Sequence, residues 1–196
     1  MIDIQNASSF DEVRAILQGR DSVLDLDGII GTDETESPDL VFGPVLGHYR
    51  EAVAFRPGET SAIDTTEALD NLRVGGIAGY EYSDAVAAYV SAHQGTALVQ
   101  LLSGDTALEQ NLRKLLAGRV DLVPEERSVL AYNLAQMDIA TDVEIVLHED
   151  IEELFIAFSP NLETSEIYAR QLRQGVQDMH ASGRIAEIMR KYGVTE

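Results

Sequence analysis

From residue 65 onward, apolar runs of strand length alternate with longer apolar stripes of helical period, and glycines punctuate the change from one to the other. This alternation limits the chain more than any other feature. A short helix closes at 69–72, and Val74–Ile77 reads as a strand with Gly75 and Gly76 inside it. Ser83 is placed to cap a helix carrying Val86, Tyr89 and Val90, which Gly95 stops. A strand over 97–102 follows, then a helix capped by Asp105 with Leu108, Leu112, Leu115 and Leu116 as its apolar stripe and Gly118 as its stop. A third strand over 119–123, a helix around 129–135 and strands over 143–147 and 154–158 complete the series. Strand, helix and strand in succession imply parallel pairing through right-handed crossovers, so the middle of the chain is expected to be an α/β lobe.

The flanks are less regular. Ser8 or Ser9 caps an expected helix with Phe10, Val13, Ile16 and Leu17 on one face, stopping at Gly19, and a strand follows over 23–26. A turn-rich stretch over 31–38 leads through a short helix or loop to a strand at Glu51–Phe55, which ends at Pro57-Gly58. The C-terminal part is expected to be two helices. Thr164 or Ser165 caps the first, with Ile167, Leu172, Val176 and Met179, and the second follows Ser182-Gly183 with Ile185, Ile188 and Met189. Residues 159–196 carry five acids and five bases, against seventeen and five in 63–158, so these helices suit a surface other than the acidic middle lobe.

Composition excludes several classes of function. A formal charge of −20 repels nucleic-acid phosphates and anionic lipid headgroups, so no nucleic acid is expected as a partner. With no cysteine, neither a disulfide framework nor a thiolate metal site is available. The 45% hydrophobic content is that of a globular protein rather than a disordered one. No apolar run approaches the roughly 20 residues of a membrane span, and the first residues show no signal-peptide pattern.

Ligands of open parallel sheets bind beyond the carboxyl ends of the strands, where helix N-termini point. Three corners of this kind occur: Ala78-Gly79-Tyr80-Glu81, Ser103-Gly104-Asp105 and Pro124-Glu125-Glu126-Arg127. Gly, Ser and Asp are also the residues that ordinary βα turns want. Glu125-Glu126 and Glu152-Glu153 read as solvated charge rather than as catalytic pairs, because adjacent residues do not converge on one substrate atom. His148-Glu149-Asp150 matches no metal-ligand spacing. No G-x-S-x-G nucleophile elbow appears, so no enzyme activity and no cofactor are expected. Tyr80 and Tyr82 suit either stacking on a ligand or packing within the lobe.

Several segments, taken in order, resemble bacterial extracellular solute-binding family 3. In the first lobe these are Leu17-Gln18-Gly19-Arg20-Asp21, Gly28-Ile29-Ile30-Gly31-Thr32-Asp33-Glu34 and Phe42-Gly43-Pro44. Leu115-Leu116-Ala117-Gly118-Arg119-Val120-Asp121-Leu122-Val123 is similar to a second-lobe pattern, and Ser182-Gly183-Arg184-Ile185 with Lys191-Tyr192-Gly193 to the closing one. The resemblance implies a periplasmic-binding-protein-like II fold, two α/β lobes joined by two crossing strands, which 51–57 and 153–160 resemble. Lobe one would be 1–62 plus 159–196 and lobe two 63–158. Because about 50 residues of the family's first β-α-β segment have no counterpart, lobe one is expected to be incomplete and the chain N-terminally truncated.

The resemblance implies a periplasmic protein that captures a small polar solute, amino-acid-like or amine-containing, in an interlobe cleft for a membrane permease of ABC type. A homodimer through the incomplete lobe, in a module that does not close on a ligand, is the alternative. The expected ligand-binding residues are Gly28, Ile30, Thr35, Gly79, Tyr80, Glu81, Ser103, Asp105 and Glu126. Three of these depart from the family pattern. Thr35 stands where amino-acid binders of the family place the arginine that grips the ligand carboxylate, Ile30 replaces a threonine, and Gly79-Tyr80 replaces a Gly-Thr/Ser pair. Ordinary α-amino acids are therefore expected to bind weakly, while Glu126 falls where the family has an acid that meets the ligand's amino group.

Overall fold

A computed structural model describes residues 29–30 and 40–192. In chain order the elements are β1 (Ile29–Ile30), β2 (Val41–Tyr49), β3 (Glu51–Phe55), a 3-10 turn (Glu67–Leu69), β4 (Val74–Ile77), α1 (Asp84–His93), β5 (Val99–Leu102), α2 (Ala107–Leu116), β6 (Leu122–Glu126), α3 (Arg127–Gln136), β7 (Glu144–Leu147), β8 (Glu152–Phe158), α4 (Ser165–Ala181) and α5 (Arg184–Lys191). They form two compact units. Among the described residues, one comprises 29–30, 40–49 and 152–188, the other 50–151 and 189–192. The expected helix over 8–19 and strand over 23–26 lie outside the described residues.

The first unit contains an antiparallel sheet in the order β1-β8-β2. The short helix or loop expected ahead of Glu51 is instead the nine-residue strand β2. Gly43, Pro44 and Gly47 look like breakers in the sequence, but the register shifts between Phe42 and Val45 and again between Val45 and Gly47, so irregular pairing absorbs them. Gly43 also makes room for α4: an added Cβ would lie 3.0 Å from the Ile156 carbonyl oxygen and 3.2 Å from Leu172.

The second unit contains a five-stranded sheet in the order β5-β4-β6-β3-β7. β4 runs parallel to β5 and to β6, as the alternation predicts, while β3 is antiparallel to both of its neighbours. Every residue of β3 is buried, and alternate side chains serve opposite faces. Ala52 and Ala54 pack with Leu108, Leu112 and Leu115 of α2 and with Leu130 and Leu134 of α3. Val53 and Phe55 pack with Val86 and Tyr89 of α1. The sheet is thus covered on both sides, as its parallel strands β5, β4 and β6 require.

The chain leaves one unit for the other at Tyr49–Arg50 and returns at Ile151–Glu152. The hydrogen bonding gives the reason. All of β3 is laddered into the five-stranded sheet and all of β8 into the three-stranded one.

β6 begins three residues later than expected and continues through Pro124 to Glu126. The sequence places Pro124 in a corner after the strand, and proline is rare inside a sheet. It is tolerated because of the side on which its missing N–H falls. Leu122 donates to the Arg73 carbonyl, towards β4, so by alternation the Pro124 nitrogen faces β4 as well. The ladder to β3 is accordingly complete over five pairs, while that to β4 is registered only at Val74 and Leu122.

Candidate functional site

The point at which the β4–β6 ladder stops is also the topological switch point of the sheet. β4 leads through α1 to β5 on one side, and β5 leads through α2 back to β6 on the other. In open α/β sheets the carboxyl ends of two such strands flank the ligand crevice. Here side chains replace the missing ladder bonds. The Ile77 amide donates to the Tyr82 hydroxyl at 2.7 Å, and the Glu126 amide donates to Glu125 Oε1 at 2.9 Å.

On the β4 side, Gly79 adopts φ +81°, a left-handed conformation that turns the chain from strand to helix. Tyr80 follows, 51% exposed, and Glu81 is exposed. The Tyr82 ring lies 6.5 Å from that of Tyr80, and its hydroxyl also donates to the Ile77 carbonyl. Gly76 leaves room for that hydroxyl, since an added Cβ would sit 3.1 Å from it and 2.9 Å from Leu101. Burial, reinforced by the charges of Glu125 and Glu51, pushes the Tyr82 phenol up to about 12. The Tyr80 phenol is also raised, by burial and then by Glu125.

On the β6 and β3 side stand three carboxylates. Glu51, 3% exposed, accepts from the Ser83 amide at 2.8 Å and from the Ser83 hydroxyl at 2.5 Å, so the side chain of the N-cap residue of α1 is tied to β3 rather than to its own helix. Glu126 lies directly opposite Glu51 in the β3–β6 register. Its Oε2 accepts from the Ser128 and Val129 amides, which caps α3 and satisfies the positive end of that helix. Like charges opposed across strands are unfavourable, and here each is offset by donors of its own. Glu125 is 5% exposed and its Oε2 has no hydrogen-bond partner among the described residues. Burial raises its proton affinity, the Glu126 amide partly opposes this, and the Glu126 and Glu51 charges add to it. Arg50 and Arg127 are the adjacent cations, and Arg50 Nε donates to the His148 carbonyl oxygen.

Gly79, Tyr80 and Glu81 thus lie on one side of the switch point and Glu126 on the other. Ser103 and Asp105 are exposed beyond β5, one strand further along. Asp105 does not cap α2, whose N-cap position is Thr106. The corner expected at Pro124-Glu125-Glu126-Arg127 is three strand residues and the first residue of a helix. Glu125 is buried, which corrects its reading as solvated charge, whereas Glu152 and Glu153 are exposed. Ile30 is described only as a strand residue paired with Ile156, and Gly28 and Thr35 lie outside the described residues. Sequence reasoning missed the roles of Glu51 and Ser83; an acid opening an otherwise wholly apolar strand was the available signal.

No protein-family model and no curated protein matches the chain. Solved structures do. An ancestral cationic amino acid solute-binding protein is 15% identical with a TM-score of 0.63, over 94% of this chain and 75% of that one. The GluR0 ligand-binding core from Nostoc punctiforme, in complex with L-glutamate, is 20% identical with a TM-score of 0.63, over 95% and 80%. An ABC uptake transporter substrate-binding protein from Streptococcus pneumoniae with bound histidine is 16% identical with a TM-score of 0.56, over 84% and 65%. The chain therefore spans just under two thirds of the pneumococcal structure and more of the other two. Identities this low show the fold, and that fold is the periplasmic-binding-protein-like II fold of the solute-binding proteins, as the sequence resemblance implies.

Proposed function

We propose that this chain, which has the fold of the extracellular solute-binding proteins, captures a small polar solute bearing an amine or amino-acid-like group and delivers it, outside the cytoplasm, to an ABC-type permease. The observation that carries the reading is the switch point. There the ladder between β4 and β6 has stopped, an exposed tyrosine stands on a glycine turn, and one oxygen of a buried carboxylate lacks a donor among the described residues. Gly79, Tyr80, Glu81 and Glu126 are the proposed contacts of this unit, with Ser103 and Asp105 at its margin. Ile30, Thr35 and Gly28 are the proposed contacts of the other. Titratable groups shifted by burial and gathered at a sheet's carboxyl edge are a recognised mark of binding sites. The solved structures of this fold include proteins bound to histidine and to glutamate.

The test is a thermal-shift screen of the whole chain against amino acids, amines and small carboxylates. A solute present at a hundred times its Kd stabilises by about 2.7 kcal/mol, which is a rise of about 5–10 °C in Tm for a chain of this size. At least one amine-bearing solute is expected to produce it, and ordinary α-amino acids to bind more weakly because Thr35 replaces the family's arginine. A screen in which no solute shifts the transition contradicts the reading.

The exposed side chains of Ile167, Tyr168 and Met179 on α4 favour a second reading, self-association of a module that does not deliver solute. Sedimentation decides. A dimer in which solute causes no compaction supports the second reading, and a monomer that compacts with solute supports the first.

A further inference from the structure

We propose that the outer edge of β7 docks an extended peptide segment bearing lysine or arginine, which adds to the five-stranded sheet as a sixth strand. This surface lies apart from the switch point, and the proposal does not rest on solute binding.

β7 is an end strand of its sheet, with β3 as its neighbour. The phase of the hydrogen bonds tells which of its backbone groups face outwards. The His148 amide donates to the Glu51 carbonyl, one step beyond the Ala52–Leu147 pair, so Val146 and Glu144 are the strand residues that exchange bonds with β3. Ile145 and Leu147 alternate with them and turn their N–H and C=O groups away from β3. Among the described residues nothing pairs with that outer side. Ile145 is 42% exposed and Ile151, just past the strand, is 56% exposed, so apolar side chains accompany the open ladder. An edge of this kind is a template for another strand.

Charge selects the occupant. Between Arg127 and Arg170 the sequence has nine acids and no lysine or arginine. Of these, Asp142 and Glu144 at one end of β7 and Glu149 and Asp150 beyond the other are exposed. The cations flanking β3 are directed elsewhere: Arg50 Nε donates to the His148 carbonyl, and the Arg56 guanidinium holds the Leu115 and Val120 carbonyls, Glu59 and Asp121. A second copy of the chain is therefore a poor occupant. Both ends of β7 are acidic, so pairing the strand with itself brings like charges together with no base to offset them. A basic strand reverses that balance. Its backbone completes the ladder, β-branched side chains meet Ile145, and its cations lie near the acids at either end.

The test is residue-resolved amide exchange by NMR, with calorimetric titration, of the whole chain against an acetylated and amidated peptide of alternating lysine and valine. A peptide of alternating glutamate and valine is the control. The lysine peptide is expected to bind with a Kd below about 1 mM, at least about tenfold tighter than the control, and to weaken as salt is raised. It should slow exchange most at Ile145 and Leu147, the outward amides. Ile145→Pro removes a donor that β3 does not use, so it is expected to fold, as circular dichroism will show, and to weaken the peptide at least about tenfold. Asp142→Asn combined with Glu144→Gln leaves the backbone intact and is expected to weaken it about three- to tenfold. Absence of binding, equal binding of the glutamate peptide, or binding that leaves Ile145 and Leu147 exchanging as before overturns the proposal. So does a self-paired dimer that protects those two amides without peptide.

Discussion

The Tyr82 hydroxyl accepts the Ile77 amide at 2.7 Å, a bond that continued pairing of β4 with β6 would have made along the ladder. It is therefore a structural bond at the mouth of the proposed site. Tyr82→Phe leaves that amide without its acceptor and is expected to lower stability by about 1–3 kcal/mol, read from the midpoint of urea unfolding followed by circular dichroism. An unchanged midpoint would show that another group replaces the hydroxyl.

Gly76 is needed for the same bond. A Cβ there would crowd Tyr82 Oη at 3.1 Å and Leu101 Cδ2 at 2.9 Å, so Gly76→Ala is expected to cost about 1–3 kcal/mol. Part of that cost comes from displacing the hydroxyl, so the penalty should shrink in a Tyr82→Phe background. A double-mutant cycle checks it, and strict additivity would deny the coupling.

Glu125 gives a pH dependence of definite sign. Its proton affinity is raised in the folded state, so its contribution favours folding below the unfolded carboxyl pKa of about 4.3 and is lost as pH rises through the folded value. Glu125→Gln, which cannot ionise, is expected to be more stable than wild type at neutral pH, with the advantage fading towards pH 4. Urea midpoints measured at several pH values test this. A difference that does not change with pH counts against a buried carboxylate with only one oxygen hydrogen-bonded.

Asp121 behaves in the opposite way. It accepts from the Arg73 amide, from Arg73 Nε and Nη2 and from Arg56 Nη2, while Arg56 also holds the Leu115 and Val120 carbonyls. The Arg73 guanidinium is the chief cause of its carboxyl lying well below the usual range, so its stabilisation is present above about pH 4 and is lost as pH falls. Asp121→Asn is expected to cost about 1.5–3 kcal/mol at neutral pH, and the gap to wild type should narrow in acid. A gap that widens in acid would contradict the assignment.

The elements legible in the sequence are those in which local pattern and long-range packing agree. Leu108, Leu112 and Leu115 announce the buried face of α2 by their spacing, and Val74–Ile77 is a strand as its composition suggests. β2 and the end of β6 were obscured by prolines and glycines whose cost is met by partners distant in sequence, through shifted register in one and an unused ladder edge in the other. The site divides in the same way. The Gly79-Tyr80-Glu81 turn is visible locally, but Glu51 meets Ser83 across 32 residues, and only the assembled sheet shows that Glu126 caps a helix while Glu125 is buried with one oxygen lacking a donor among the described residues.

The most direct measurement of the central claim is amide hydrogen exchange on the whole chain, with and without a solute identified by thermal shift. A solute held at the switch point is expected to slow exchange most in 77–83 and 125–129. Slowing confined to other segments, with these two unchanged while solute is bound, would contradict it.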